Sequence, residues 1–159
     1  MVTVRRLNHA VLYVNDSDEA AAFYQDVMGM EVVQRIAGQA AFLRSPKSGN
    51  HHDIGLFSVG REAARPPPGA TGLYHLAWEV DSIEDLAAMR QSLVDAGALV
   101  GQSDHGVSKS LYGQDPSGNE FEVLWVVPRE AWGQLEHAAP VLPLDLDAEV
   151  ERWGTARAR

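Results

Sequence analysis

Three side chains far apart in the chain carry the chemistry of a metal site. His9 lies in Leu7-Asn8-His9-Ala10-Val11, His75 in Leu73-Tyr74-His75-Leu76-Ala77, and Glu122 in Glu120-Phe121-Glu122-Val123-Leu124. Each run is apolar and strand-like. Two imidazoles and one carboxylate are the donor set of a non-haem Fe(II) centre that keeps coordination positions free, and Mn(II) accepts the same set. A carboxylate between Phe121 and Val123 is costly on a buried face unless it is paired or bound to a cation; otherwise it points to solvent. His52, in Asn50-His51-His52-Asp53, would be a spare histidine near that metal. Its neighbour His51 is expected on the opposite side of a strand, because strand side chains alternate.

The elements that must position these groups come as a repeat. Leu7-Asn8-His9 and Leu73-Tyr74-His75 each open an apolar strand, 66 residues apart. A polar turn and a helix follow each strand. Asp16 or Ser17 caps the first helix, which places Ala20, Phe23, Tyr24 and Val27 on one face and stops at Gly29. Ser82 and Asp85 read as a capping box for the second, with Ile83, Leu86, Ala87, Met89, Leu93 and Val94 in helical period up to Gly97. Strand-like runs follow at 31–35, 40–44 and 53–59, and again at 99–102, 109–114 and 120–127. Both copies therefore read β-α-β-β-β.

The class is α+β: two paired βαβββ modules whose curved mixed sheets enclose a barrel-like metal cavity, since one module leaves a sheet face uncovered. Module one spans 1–62, a joint spans 63–70 and module two spans 71–127. Arg65-Pro66-Pro67-Pro68-Gly69 makes that joint a semi-rigid linker. Residues 128–159 form a C-terminal extension. In module two, Asp115-Pro116-Ser117-Gly118-Asn119 is a turn between strands, so Tyr112 and Glu122 should sit on adjacent strands.

Composition limits the alternatives. A net charge of -9 argues against nucleic-acid or anionic-membrane surfaces. The chain has no cysteine, which removes disulfides, thiolate metal sites and cysteine nucleophiles. Charges at Arg5, Arg6, Asp16, Asp18 and Glu19 leave no apolar stretch in the first twenty residues long enough for a signal peptide, and no transmembrane segment is expected. The expected location is the cytoplasm.

Residues 4 to 127 resemble the vicinal oxygen chelate superfamily of glyoxalases, bleomycin-resistance proteins, fosfomycin-modifying enzymes and extradiol dioxygenases. Within it, Asp104-His105-Gly106-Val107-Ser108, Tyr112 and the Asp115-Pro116-Ser117-Gly118-Asn119 turn before Glu122 most resemble the catalytic domain of type I extradiol dioxygenases of the catechol 2,3-dioxygenase group. Pro128-Arg129-Glu130-Ala131-Trp132 and Pro143-Leu144-Asp145-Leu146-Asp147 are similar to the extension that follows the paired modules in those enzymes. The glyoxalase branch carries a glutamate at the last strand of both copies. Here the position equivalent to Glu122 is Gly55, which leaves three protein ligands.

The resemblance implies cleavage of a catechol outside its two hydroxyls with Fe(II) and O₂. His9, His75 and Glu122 would hold the metal. His52 would be the acid–base residue, as the histidine of the family's His-Asp pair, and this match selects it over His51. Tyr112 would bond to a substrate oxygen, and His105 would stabilise developing negative charge. The partners implied are a small aromatic diol and O₂. Members of the group commonly have two such paired-module domains, so a chain with one should form a homo-oligomer, with Trp132, Leu135, Val141, Leu142, Leu144 and Leu146 available to cover exposed surface. Two alternatives stay open. One is a divalent-metal lyase, isomerase or transferase of the glyoxalase or antibiotic-resistance type. The other is a metal-free ligand-binding protein of the bleomycin-resistance type.

Overall fold

The computed structural model describes residues 1–67 and 69–154. Pro68, in the expected joint, and residues 155–159, in the expected extension, lie outside the described residues. Two compact units divide the chain. The first is Met1–Ala70 with Asp115–Gly118; the second is Thr71–Gln114 with the chain from Asn119 onward.

In the first unit the order is β1 (Ala10–Val14), α1 (Ser17–Asp26), β2 (Glu31–Ile36), β3 (Ala40–Arg44) and β4 (Ile54–Ser58). Asp16 rather than Ser17 caps α1, accepting hydrogen bonds from the Asp18 and Glu19 amides. Gly29, at φ 68, turns the chain out after the helix. The strands run β1-β4-β3-β2, with β1 parallel to β4 and the other pairs antiparallel. Leu12, Val14, Ala41, Leu43, Ile54 and Leu56 point to one face and are buried with Ala20, Ala21 and Tyr24 of α1. Each fully buried Leu or Ile contributes about 1.5–3 kcal/mol relative to exposure, so this face anchors the unit. On the other face Val11, Tyr13 and Phe57 are exposed.

The turn at Asp115–Gly118 packs within this first unit. The Asn15 amide donates to Ser117 Oγ at 2.8 Å, and the Tyr24 hydroxyl donates to Asp115 Oδ2 at 3.4 Å. Burial, and then the Asp115 charge, push the Tyr24 phenol far above its ordinary value.

The second unit repeats the topology with β5 (Leu76–Glu79), α2 (Ile83–Asp95), β6 (Leu99–Asp104), β7 (Ser108–Gln114) and β8 (Glu120–Val126), in strand order β5-β8-β7-β6. Ser82 caps α2 through the Asp85 amide. Ile83, Leu86 and Leu93 bury one side of the helix, while Val94 is exposed. Leu111, Phe121, Val123 and Trp125 complete this core.

The architecture is α+β with two βαβββ modules, as the repeat implies, but neither sheet closes. Each has four strands, with β1 and β2 at the edges of one and β5 and β6 at the edges of the other. The sequence also hides a third helix, α3 (Leu146–Trp153), capped by Asp145 through the Ala148 amide. Two short 3-10 turns, Arg129–Ala131 and Gly133–His137, precede it. α3 packs on α2, and Trp153 meets Trp125 at a tilt with centroids 5.9 Å apart. Of the tail residues expected to cover surface, Leu144 and Leu146 are buried, whereas Leu135, Val141 and Leu142 are exposed. No helix among the described residues is long and apolar enough to cross a membrane.

Candidate active site

Sheet register builds the site in the second unit. β5 pairs with β8 so that Ala77 faces Glu122, and β7 pairs with β8 so that Tyr112 faces Glu122. His75 stands just before β5 rather than within it. Its Nε2 lies 3.2 Å from Glu122 Oε2, and the two side chains are 24% and 10% exposed. Nδ1 of His75 is buried and has no hydrogen-bond partner. A half-buried imidazole and a largely buried carboxylate this close are chemically able to share a divalent cation.

Tyr112 completes this cluster, its ring 5.8 Å from His75 between centroids. Burial, and then the neighbouring Glu122 charge, hold the Tyr112 phenol above its ordinary value, so it stays protonated at neutral pH. Its hydroxyl lies 2.8 Å from His105 Nε2, and the other nitrogen of that ring, Nδ1, lies 2.8 Å from the Pro140 carbonyl.

The first unit holds the remaining predicted residues. His9 is exposed and, like His75, lies just before its strand. Its Nδ1 is 2.8 Å from Asn8 Oδ1, and its ring is 4.5 Å from that of His52. His52 also meets the edge of Phe42, with centroids 5.3 Å apart. His51 and His52 precede β4, so strand alternation does not separate them. Their Nδ1 atoms are 3.1 Å apart, which corrects the expectation of opposite sides.

Asp53 imposes that bend. It accepts hydrogen bonds from the Ser45 amide, Ser48 Oγ and Asn50 Nδ2 at 2.8, 2.7 and 2.7 Å. Asn50 Nδ2 also donates to the Asn8 carbonyl at 2.7 Å, bracing the residue before His9. Burial raises the Asp53 carboxyl, but these bonds outweigh it and hold the group below the usual carboxylate range. Partial burial, and then the nearby His9 and His51 rings, hold the His52 imidazole below its ordinary value and favour its neutral form.

Among the described residues, no three His, Asp or Glu side chains are grouped as a ready-made metal cage. His75 and Glu122 are together, and His9 belongs to the first unit. Sequence reasoning missed Asn8, Asn50 and Pro140. Asn50 was visible only as the polar residue before the His-His-Asp run, and a proline carbonyl leaves no signal of its own.

The two sheet registers make Gly55 the counterpart of Glu122. In the first sheet Gly55 faces Val11 and Phe42, as Glu122 faces Ala77 and Tyr112 in the second. A Cβ built on Gly55 would meet the Phe42 ring at 3.4 Å.

The family model described as Glyoxalase/Bleomycin resistance protein/Dioxygenase superfamily matches residues 6–123. The chain is 27% identical over 154 residues to a catechol-2,3-dioxygenase of Bacillus subtilis, covering 95% of this chain and 53% of the relative. It is 33% identical over 125 residues to biphenyl-2,3-diol 1,2-dioxygenase 3 of Rhodococcus globerulus, covering 77% of this chain and 64% of that one. The chain thus spans between about half and two thirds of the length of these relatives. Among solved structures, a glyoxylase/bleomycin resistance protein/dioxygenase domain from Frankia sp. EAN1pec superposes with a TM-score of 0.65 at 20% identity, over 80% of this chain and 96% of that one.

Proposed function

The chain belongs to the Glyoxalase/Bleomycin resistance protein/Dioxygenase superfamily, and on that footing we propose that it is an extradiol ring-cleaving dioxygenase of a catechol-type diol. The observation that carries this reading is the contact of His75 with Glu122 beside Tyr112, itself bonded to His105. His75 and Glu122, with His9 from the first unit, are the proposed ligands of Fe(II), with Mn(II) as the alternative ion. When bound, the ion supplies a place where the diol and O₂ react together.

The chain's own side chains do the rest. His52 accepts a proton from a substrate hydroxyl, a role suited to an imidazole held neutral. Tyr112 orients a substrate oxygen, and His105 supports Tyr112 from behind. Gly55 keeps a second carboxylate out of the donor set, which favours oxygen chemistry over an isomerase with two glutamates. A homo-oligomer is the proposed working form, with the exposed tail residues Leu135, Val141 and Leu142 as the apolar surface available to it.

Anaerobic loading with Fe(II), metal analysis and then oxygen uptake with catechol and 2,3-dihydroxybiphenyl test the proposal. The expected result is iron retained on the protein, O₂ consumed in step with diol, and a yellow ring-opened product. Iron-loaded protein that consumes no O₂ with either diol would overturn it, as would unchanged activity in Glu122→Ala.

A further inference from the structure

After β8 the tail returns to the end of β6 and is tied there. The Asp104 amide donates to the Leu142 carbonyl at 2.9 Å, and the Leu142 amide donates to the Asp104 carbonyl at 3.0 Å. Gln102 Nε2 donates to the Leu144 carbonyl at 2.9 Å. Buried Lys109 lies 2.6 Å from Asp104 and 3.4 Å from Glu149 of α3. The tail also lies close against the turn that carries His105: a Cβ on Gly106 would meet Leu135 at 2.9 Å and Pro140 at 3.4 Å.

This anchoring sets the Pro140 carbonyl 2.8 Å from His105 Nδ1. A carbonyl only accepts, so the ring proton must be on Nδ1. A neutral ring protonated there presents a bare Nε2, and Nε2 is the atom 2.8 Å from the Tyr112 hydroxyl. The phenol must therefore be the donor in that bond.

We propose that the tail around Pro140 and Leu142 is a positioning device: it locks His105 in the Nδ1–H tautomer and commits the Tyr112 hydroxyl proton to His105. The phenol oxygen is then left with lone pairs and acts as an acceptor. A substrate hydroxyl bonding to Tyr112 can lose its proton to Oη as the Tyr112 proton passes to Nε2. One O–H bond breaks and one forms at Tyr112, an N–H bond forms on His105, and the substrate keeps the electron pair. With the opposite tautomer, Nε2–H would donate to Tyr112, and the phenol would face the substrate as a donor. The catalytic meaning of this switch rests on the ring-cleaving reading, but the tautomer itself does not.

Long-range ¹H–¹⁵N correlation of the histidine rings tests the tautomer in the full chain without added metal. Spectra are taken at about pH 8.5, well above the ordinary imidazole value of about 6.5. His105 is assigned by the signals that vanish in His105→Gln. The wild-type chain is expected to show a protonated Nδ1 and a bare Nε2. Tyr112→Phe should keep this pattern, because the carbonyl sets it. Leu142→Pro, which removes an amide of the Asp104 bridge, should move His105 toward the Nε2–H form. A wild-type Nε2–H ring, or a reversal in Tyr112→Phe, overturns the proposal. So does a Leu142→Pro chain that keeps native far-UV circular dichroism and an unchanged tautomer. Where Leu142→Pro fails to fold, the other two spectra decide alone. A chain inactive toward diols leaves this result standing, and a reversed tautomer leaves ring cleavage to its own assay.

Discussion

Tyr112 stands directly across the β7–β8 ladder from Glu122, the carboxylate that meets His75 Nε2 at 3.2 Å. A directly opposed pair in a sheet has Cβ atoms about 5 Å apart, so backbone hydrogen bonding holds the phenol and carboxylate side by side. Neither relies on a loop.

The Tyr112 phenol should report on its neighbour. Its value is raised by burial and then by the Glu122 charge. Glu122→Gln keeps the shape and removes the charge, so Tyr112 should ionise at lower pH than in the parent chain. Phenolate absorbance, taken as a difference against Tyr112→Phe, follows it. An unchanged titration would mean that the Glu122 charge has no hold on Tyr112.

Metal binding and turnover should separate cleanly. Loss of a group that merely orients a ligand costs about 10–100-fold in metal affinity, so His75→Ala and Glu122→Ala should lose at least about 100-fold in a chelator competition. His52→Phe should retain the metal and lose about 100-fold or more in kcat, the usual share of a general acid–base group. Equal loss of metal in His52→Phe would make that histidine a ligand instead.

Asp53 should matter for the fold through the bend it organises. Asp53→Ala strands the Ser45 amide, Ser48 and Asn50, which now bond to a charged acceptor. Urea denaturation should show a loss of about 2 kcal/mol. The folded carboxyl is held below its usual range, so its contribution is complete above about pH 4 and disappears as pH falls through the lowered value. The gap between the parent chain and Asp53→Asn should therefore close in acid. A gap that widened instead would reverse the assigned sign.

Lys109 should be the fastening of the tail. Its side chain is 4% exposed and paired with Asp104 and Glu149. Removing one partner of a buried ion pair costs about 3–5 kcal/mol. Lys109→Met should lose about 3 kcal/mol, since both carboxylates keep some access to water, and should free α3 for proteolysis. A variant as stable and as protease-resistant as the parent would remove Lys109 from that role.

The repeat was legible because patterning and caps are local. Asp16 and Ser82 before periodic apolar runs mark both helices, and Gly29 and Gly97 mark their ends. The repeat made Gly55 the counterpart of Glu122, and the short turn put Tyr112 and Glu122 on adjacent strands; their direct pairing across the ladder is set by the register. α3 was less visible, because its eight residues draw their stability from Trp125, α2 and Lys109 rather than from their own pattern.

By itself, then, the sequence determined two βαβββ modules, their helix boundaries, and the histidines and single glutamate set at matching places. Tertiary structure alone decided that His51 and His52 lie side by side, because the Asp53 bonds that bend their segment join residues the pattern treats as loop. It alone brought the Pro140 carbonyl to His105, 35 residues away in sequence. Periodicity encodes which face a residue takes within its own element. It does not encode which distant backbone atom returns to meet that face, since that depends on how buried side chains such as Lys109, Leu144 and Leu146 seat the tail.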